Sequence, residues 1–552
     1  MGVYLRNAMK NLLLLITILY LLFSCSGGNK KAENHIQKDY KAEFNQYFSN
    51  NYDNIVIPKI SGIELDSINW VHSFYQNNNY STIWINDSIQ LSEEGIQLIS
   101  QLSKSQNYGL VNRLYDVNTL TRFKKKLDKT KSKEDSYAVA ANLEILLTHY
   151  FMQHGKHLNY GILNRVDSLT MIPRKKFSID LPKYLYNALK TDSIIDKLLA
   201  LQPLHPQYLS LQKGLEKFLQ NSSLSTKNIQ VHNFRVDSLK AIKQAKKALI
   251  LHKYLTSANN DSKYLEALAK FQLEHGLKPD KLIGNNTAQA LSISPYKYYK
   301  QIVANLERWR WKDNWTSDYL FVNIPSYTMQ LYNKHKLVRD HKIIVGKLEN
   351  PTPEIIDTLE YIIAYPYWNV PRSISVKEIL VKAQEDTAYL KRNNYEILTY
   401  NKEELDPNSI NWDEVNEDNF NYLIRQKGGS SNALGLVKFI FPNKYAIYLH
   451  DTPTKYYFDQ ELRAYSHGCV RVEKALDLAD HILRTDNNKY NIDSIYKYIE
   501  MCKEKPMELN TKIPINIYYF TTSVDNVGNI IFYNDVYKKD EKLISELSVI
   551  GK

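Results

Sequence analysis

The chain has 552 residues, 43% hydrophobic and 24% charged, which excludes wholesale disorder and exceeds what one hydrophobic core can organise, so roughly three to four structural units are expected. Lys and Arg number 71 against 59 Asp and Glu, a net charge of +12 that favours anionic surfaces such as membranes or acidic wall polymers. The lysines are scattered, with no basic stripe or nucleic-acid motif, so nucleic acid is not an expected partner.

At the N-terminus Arg6 and Lys10 precede an apolar run from Leu12 to Phe23, of signal-peptide length and short for a transmembrane helix, which predicts export. The run closes on "LFSC", Leu22 to Cys25, and resembles the lipobox of bacterial lipoproteins, with the bulky Phe23 as its departure. That resemblance implies a lipoprotein-type signal peptide over 1–25 and a lipidated Cys25 holding the protein on a membrane. Residues 26–40, opening "SGGNKK", read as a polar tether.

Residues 41–235 alternate amphipathic helical patterns such as "EGIQLISQLSKSQNYGL" with Asn/Ser/Lys loops, which predicts a helical scaffold. His154, His157 and His205 lie there in helical or loop contexts and read as core or surface histidines rather than ligands. Residues 238–292 read as a compact three-helix unit: Gly276 stops a helix, Gly284 makes a second turn, and Asn286-Thr287 can cap the next helix. "FQLEHGLKPDKLIGNNTAQAL" resembles the repeat of peptidoglycan-binding domains, although Lys281 replaces the usual Gly after Asp280.

From about 315 the pattern changes to strands, as in "YLFVNIPSYTMQLYN" and "KLVRDHKIIVGK", and a mainly β domain is expected over 315–520. Within it 374–425 is polar and helical in period, an insertion large enough to be a lid. "GLVKFIFPNKYAIYLHD" reads as a hairpin turning at Pro442-Asn443, which puts His450 at a strand end. Residues 521–552 form a C-terminal extension, and the fold class is an α+β multidomain protein.

The chemistry concentrates in "AYSHGCVRV", Ala464 to Val472. Cys469 there reads as a nucleophile, a metal ligand or a small structural side chain. Cys502 shares a helical apolar face with Ile495 and Ile499 and reads as a buried structural thiol; a Cys469–Cys502 disulfide competes with every catalytic role. The apolar spacing of "VRVEKALDLADHILRT" places Cys469 in a loop feeding a helix N-terminus, where free N–H groups and the helix dipole favour a thiolate and can hold an oxyanion. Gly468 lets the backbone approach a substrate carbonyl. The proton partner is expected to be His450 rather than His467, because a residue two before the cysteine in a tight loop often points elsewhere. His450, Asp451, His467 and Cys469 also make a conceivable zinc set, but their spacing argues against it.

"YLHDTPTKYYFDQELRAYSHGCVRV" resembles the active-site signature of the L,D-transpeptidase family, the cysteine enzymes that cross-link bacterial peptidoglycan. "VNIPSYTMQLY", "VGKLENPTP", "YPYWNVPRSI", "NALGLVKFIFPN" and "LQPLHPQYLSLQKGL" resemble segments of its large multidomain branch. In "RQKGGSSNALG", Lys427 stands where related sequences tend to have Pro. The resemblance implies Cys469 as nucleophile, His450 as general base and acid, the Asp451 carbonyl orienting His450, and backbone N–H groups of His467 to Cys469, Gly468 included, as the oxyanion hole. It leaves Arg471 as either a dock for an anionic peptide terminus or a loop brace, with Ser466 and Tyr448 as substrate-binding candidates. It further implies peptidoglycan stem peptides as donor and acceptor, a periplasmic site of action, acylation by carbapenem-type β-lactams, no metal or organic cofactor, and 3→3 cross-links in cell wall biogenesis. Carboxypeptidase chemistry, protein anchoring and a non-catalytic peptidoglycan-binding lipoprotein are the alternatives.

Overall fold

A computed structural model describes residues 40–163, 175–258, 261–312 and 315–549. The expected signal peptide, Cys25 and most of the linker lie outside the described residues. Among those described, no helix is long and apolar enough to cross a membrane.

The N-terminal half is built around one long helix, α1 (Lys133–Tyr160), whose sequence is apolar on nearly every side. Such a helix can only be stable when enclosed, and shorter helices wrap it so that Leu143, Ile145, Leu146, Phe151 and Met152 are fully buried. Its polar groups are matched. Glu144 accepts from the backbone N–H groups of Ile83 (2.6 Å) and Trp84 (2.9 Å) and from the Tyr75 hydroxyl (2.9 Å). His149 Nδ1 lies 2.6 Å from Ser67 Oγ, and His157 Nδ1 lies 2.8 Å from the Tyr115 hydroxyl.

The expectation of core histidines therefore has a consequence. Burial lowers the pKa of His149 to about 4 and of His154 to about 3. In the unfolded chain both take up protons near pH 6.5. Their contribution to stability is thus present above pH 6.5 and is lost as pH falls through the window down to 3–4, on the order of 1.4 kcal/mol per pH unit for each. Urea unfolding of the helical half at pH 7.5 and at pH 5 is expected to show the lower midpoint at pH 5; equal midpoints would contradict this burial.

Helix α2 (Pro206–Asn221) is N-capped by His205, whose ring packs against Trp309 and Trp315 at 4.6 and 4.5 Å. The three-helix unit follows as α3 (Ser238–Leu251), α4 (Asp261–Glu274) and α5 (Asn285–Leu291), around a core of Ala245, Leu249, Leu268, Phe271 and Leu291. Gly276 sits at φ +64, as a helix stop requires, and the last helix begins two residues earlier than a cap at Asn286 would place it, with Gly284 at the cap. Lys281 also adopts φ +64, a conformation glycine takes at no steric cost, which gives the usual Gly at that position its physical reason.

Helix α6 (Pro295–Arg310) is buried along most of its length and leads into the β domain. Its strands are β1 (Tyr319–Asn323), β2 (Thr328–Asn333), β3 (Lys336–Gly346), β4 (Ile355–Ala364), β5 (Val437–Ile440), β6 (Leu449–His450), β7 (Ala464–Ser466), β8 (Val470–Val472) and β9 (Lys505–Tyr518). They run in the order β7-β3-β8-β6-β5-β4-β9-β1-β2, and β2 pairs back onto β3 so that the sheet closes. Helices α7 (Ala475–Thr485) and α8 (Ile492–Glu500) add Leu478, Ile482 and Ile495 to its core.

The insertion is helical mainly in its first part, in segments between Arg372 and Arg392 that include a π-helical stretch, Ser375–Leu380, with single 3-10 turns later at Pro407–Ser409 and Trp412–Glu414. The remainder pairs Leu423–Gln426 with Trp368–Asn369 on one side and Tyr395–Leu398 on the other, in a four-stranded sheet over its own core of Leu390, Ile397, Trp412 and Phe420. Short strands separated by Asn- and Asp-rich turns concealed this sheet from periodicity. The C-terminal extension forms a hairpin, Thr522–Val524 with Ile530–Phe532, and a helix, α9 (Lys539–Val549), whose Leu543 and Leu547 enter the core of the N-terminal helices.

Candidate active site

Strands β5 and β6 are the expected hairpin, and Asn443 organises its turn by accepting from the N–H groups of Tyr445 and Ile447 (both 3.1 Å). β6 lies parallel to β8 with Leu449 beside Val470 and His450 beside Arg471. One residue earlier the Val470 N–H donates to the Tyr448 carbonyl (3.1 Å), so Cys469 is next to Tyr448. Side chains alternate across a sheet. Leu449 and Val470 fill the core, and Tyr448, His450, Cys469 and Arg471 share the opposite face.

His450 Nδ1 lies 2.5 Å from the carbonyl oxygen of Asp451. A carbonyl only accepts, so Nδ1 carries the proton and Nε2 is the basic nitrogen. The Asp451 carboxylate is engaged elsewhere, by Lys455 and by the Leu436 N–H. Burial, reinforced by the Arg471 cation, lowers the His450 pKa to about 3, so the imidazole is neutral. Burial pushes the Cys469 thiol up, opposed by the Tyr448 N–H and hydroxyl and by the cations of Lys438 and Arg471. The pair therefore rests as a thiol and a neutral imidazole, and forms its charges only as a proton moves.

Several expectations change here. Cys469 does not feed a helix N-terminus: β8 and a left-handed Lys474 intervene before α7 begins at Ala475. Val472 fits the helical spacing of Ala475, Leu476 and Ala479 but points inward with Val470 as alternate strand residues, so the helix dipole does not act on the thiol. Gly468 adopts φ +114, which suits glycine, and a Cβ there would meet Ile447 at 3.2 Å. However, its N–H donates to Ser466 Oγ (3.1 Å), which removes it from the expected oxyanion donors. Ser466 in turn donates to the Cys469 carbonyl (2.5 Å) and is 2% exposed. It braces the loop instead of touching substrate. His467 turns away from the thiol, its Nε2 2.6 Å from Glu378 Oε1 on the π-helical stretch of the insertion. With His450, His467 and Asp451 each turned to a different partner, the four residues weighed as zinc ligands do not converge.

Cys469 and Cys502 are both free thiols, so they form no disulfide. Cys502 is exposed at φ +51, just beyond the end of α8, not buried on its apolar face. Helical spacing was extrapolated past the point where the helix ends. Arg471 donates from Nη1 to Thr454 Oγ1 (3.1 Å), which makes it a loop brace, while its Nε has no partner among the described residues.

The nucleophile loop is also held from behind. The Gly468 carbonyl accepts from Thr352 Oγ1 (2.7 Å), and the Tyr537 hydroxyl of the C-terminal extension donates to the Gly346 carbonyl (2.7 Å) and accepts from the Thr352 N–H (3.0 Å). Lys438, Glu378 and Tyr537 were not anticipated as site residues. Of these, Lys438 was within reach of the sequence, because in "GLVKFIFPN" it alternates with the inward Val437 and Phe439 and so shares the outward face of His450.

Residues 317–512 match the YkuD family, described as the L,D-transpeptidase catalytic domain, and residues 69–215 match a scaffold domain. This chain carries an L,D-transpeptidase catalytic domain. A protein of Haemophilus influenzae described as "Putative L,D-transpeptidase" is 36% identical over 228 residues, which are 41% of this chain and 45% of that protein. The chain thus matches less than half the length of that relative. The site described above falls inside the L,D-transpeptidase domain, and its scaffold is the helical half built on α1.

Proposed function

We propose that this protein is an exported, membrane-tethered enzyme that forms 3→3 cross-links in peptidoglycan through a thioester on Cys469. The observation that carries this reading is the placement of Cys469 and Tyr448 side by side, with His450 and Arg471 beside them, on one face of two parallel strands of an L,D-transpeptidase domain.

Cys469 sulfur attacks the carbonyl of the third residue of a donor tetrapeptide as its proton passes to His450 Nε2. The tetrahedral intermediate collapses when His450 returns that proton to the leaving amine, and terminal D-alanine departs. An amine of a second stem then gives a proton to His450 and attacks the thioester, forming the new amide and restoring the thiol. Arg471, whose Nε is unpartnered, suits the carboxylate of a stem peptide. Lipidation of Cys25, periplasmic action, wall binding by residues 238–292 and acylation by carbapenems belong to the same reading.

The test is incubation with purified disaccharide-tetrapeptide and mass analysis of the products. A dimer lacking one alanine, absent with Cys469→Ala, is expected. Release of alanine without dimers would make the protein a carboxypeptidase, and no turnover at all would sink the enzymatic reading.

A further inference from the structure

Lys438 lies on β5 directly opposite His450 in the antiparallel register with β6. Its side chain does not stay opposite the imidazole. The ammonium leans along the diagonal and stands 3.7 Å from the centre of the Tyr448 ring, a close cation–π contact. Tyr448 is the residue that borders Cys469: the Val470 N–H donates to its carbonyl, and its hydroxyl favours charge on the sulfur. The lean therefore seats the positive charge on the ring that borders the nucleophile, where it acts on Cys469 as well as on His450.

Among the described residues Lys438 makes no ion pair. Glu504 acts on it only through space, and the Glu504 carboxylate accepts from the Tyr367 N–H (2.9 Å). Burying an ammonium without a carboxylate is unfavourable unless something else uses the charge. The other ionisable groups around the thiol have settled partners. Arg471 is tied to Thr454 through Nη1, with Tyr456 and Tyr457 near it, and its charge acts on His450 as well as on Cys469; His467 is turned to Glu378. Cys469 itself lacks the helix dipole that usually lowers a catalytic thiol.

We propose that Lys438 is a positioning residue for the acylation step: held on the Tyr448 ring, its ammonium stabilises the negative charge that forms on Cys469 sulfur as the proton leaves for His450. This rests on the reading of Cys469 as nucleophile. A cation seated on the ring that borders the sulfur, in a partly dry site, favours a thiolate.

The experiment follows alkylation of Cys469 by iodoacetamide against pH in the full chain, in a Cys502→Ser background because Cys502 is exposed, with peptide mapping to read Cys469 alone. Lys438→Met, which keeps the apolar stem, is expected to raise the alkylation midpoint by about one pH unit and to slow carbapenem acylation at neutral pH about tenfold. Lys438→Arg keeps the charge and is expected to restore both, and KM for the stem peptide stays at the wild-type value in each variant. An unchanged alkylation profile in Lys438→Met overturns the proposal, and a rise in KM alone would make Lys438 a substrate anchor instead. Because alkylation needs no turnover, a shifted profile in a protein that makes no cross-links would support the role of Lys438 while removing the transpeptidase reading.

Discussion

His450→Ala is expected to lower kcat/KM for the proposed cross-linking by about 10²- to 10⁴-fold, the usual contribution of a positioned acid–base group, and His467→Ala to leave it within a few-fold of wild type. The difference follows from where the two imidazoles are held. His450 shares the outward face of β6 with the residue bordering Cys469, and its Nδ1 is fixed by the Asp451 carbonyl, so Nε2 is available as base. His467 is committed to Glu378 on the insertion. The pH dependence sharpens this prediction. A histidine at its ordinary pKa would be about 90% protonated at pH 5.5 and would cost about tenfold in rate against pH 7.5. With its pKa lowered to about 3, His450 remains neutral across that interval, and carbapenem acylation measured by intact mass is expected to lose far less than tenfold. An acid limb near pH 6.5, or a His467→Ala variant as inactive as His450→Ala, would overturn this assignment.

How far the sequence could be read depended on whether a feature was local. The helical half, the change to strands and the hairpin turning at Asn443 each announce themselves within a window of about fifteen residues. His450 was legible because the hairpin fixes a strand end. Three failures around Cys469 have one cause. Val472 fits a helical spacing with the residues after it and a strand period with Val470 before it, and only the pairing of β8 with β3 and β6 decides between them. Ser466 looked like a substrate contact because hydroxyls near a nucleophile often are; its bonds to Cys469 and Gly468 exist only once the loop is closed. Tyr537 and Thr352 were beyond reach, since 185 residues separate them and no periodicity links them.

The same long-range wiring sets the second large effect, on stability. Asp540 at the start of α9 is paired with Arg308 of α6, and both are almost wholly buried. Asp540 also accepts from Thr521 Oγ1 (2.7 Å), whose backbone N–H donates to Asn305 Oδ1 (2.8 Å). Beside them Glu354, at the edge of the β domain, is paired with Lys312 (3.3 Å) and Lys539 (3.1 Å). The β domain, α6 and the C-terminal extension meet at this cluster, and α9 then delivers Leu543 and Leu547 to the core of the helical half. Asp540→Ala strands the Arg308 guanidinium without its acceptor, and breaking such a pair costs about 3–5 kcal/mol because an uncompensated charge stays buried. The expected result is a clear drop in the urea midpoint, with early proteolytic loss of the C-terminal helix. Replacing both partners, Arg308→Met with Asp540→Leu, removes charge and desolvation cost together and is expected to recover most of that loss. If the double variant is no more stable than Asp540→Ala, packing rather than charge explains the loss; if Asp540→Ala unfolds at the wild-type midpoint, the cluster does not hold the two halves together.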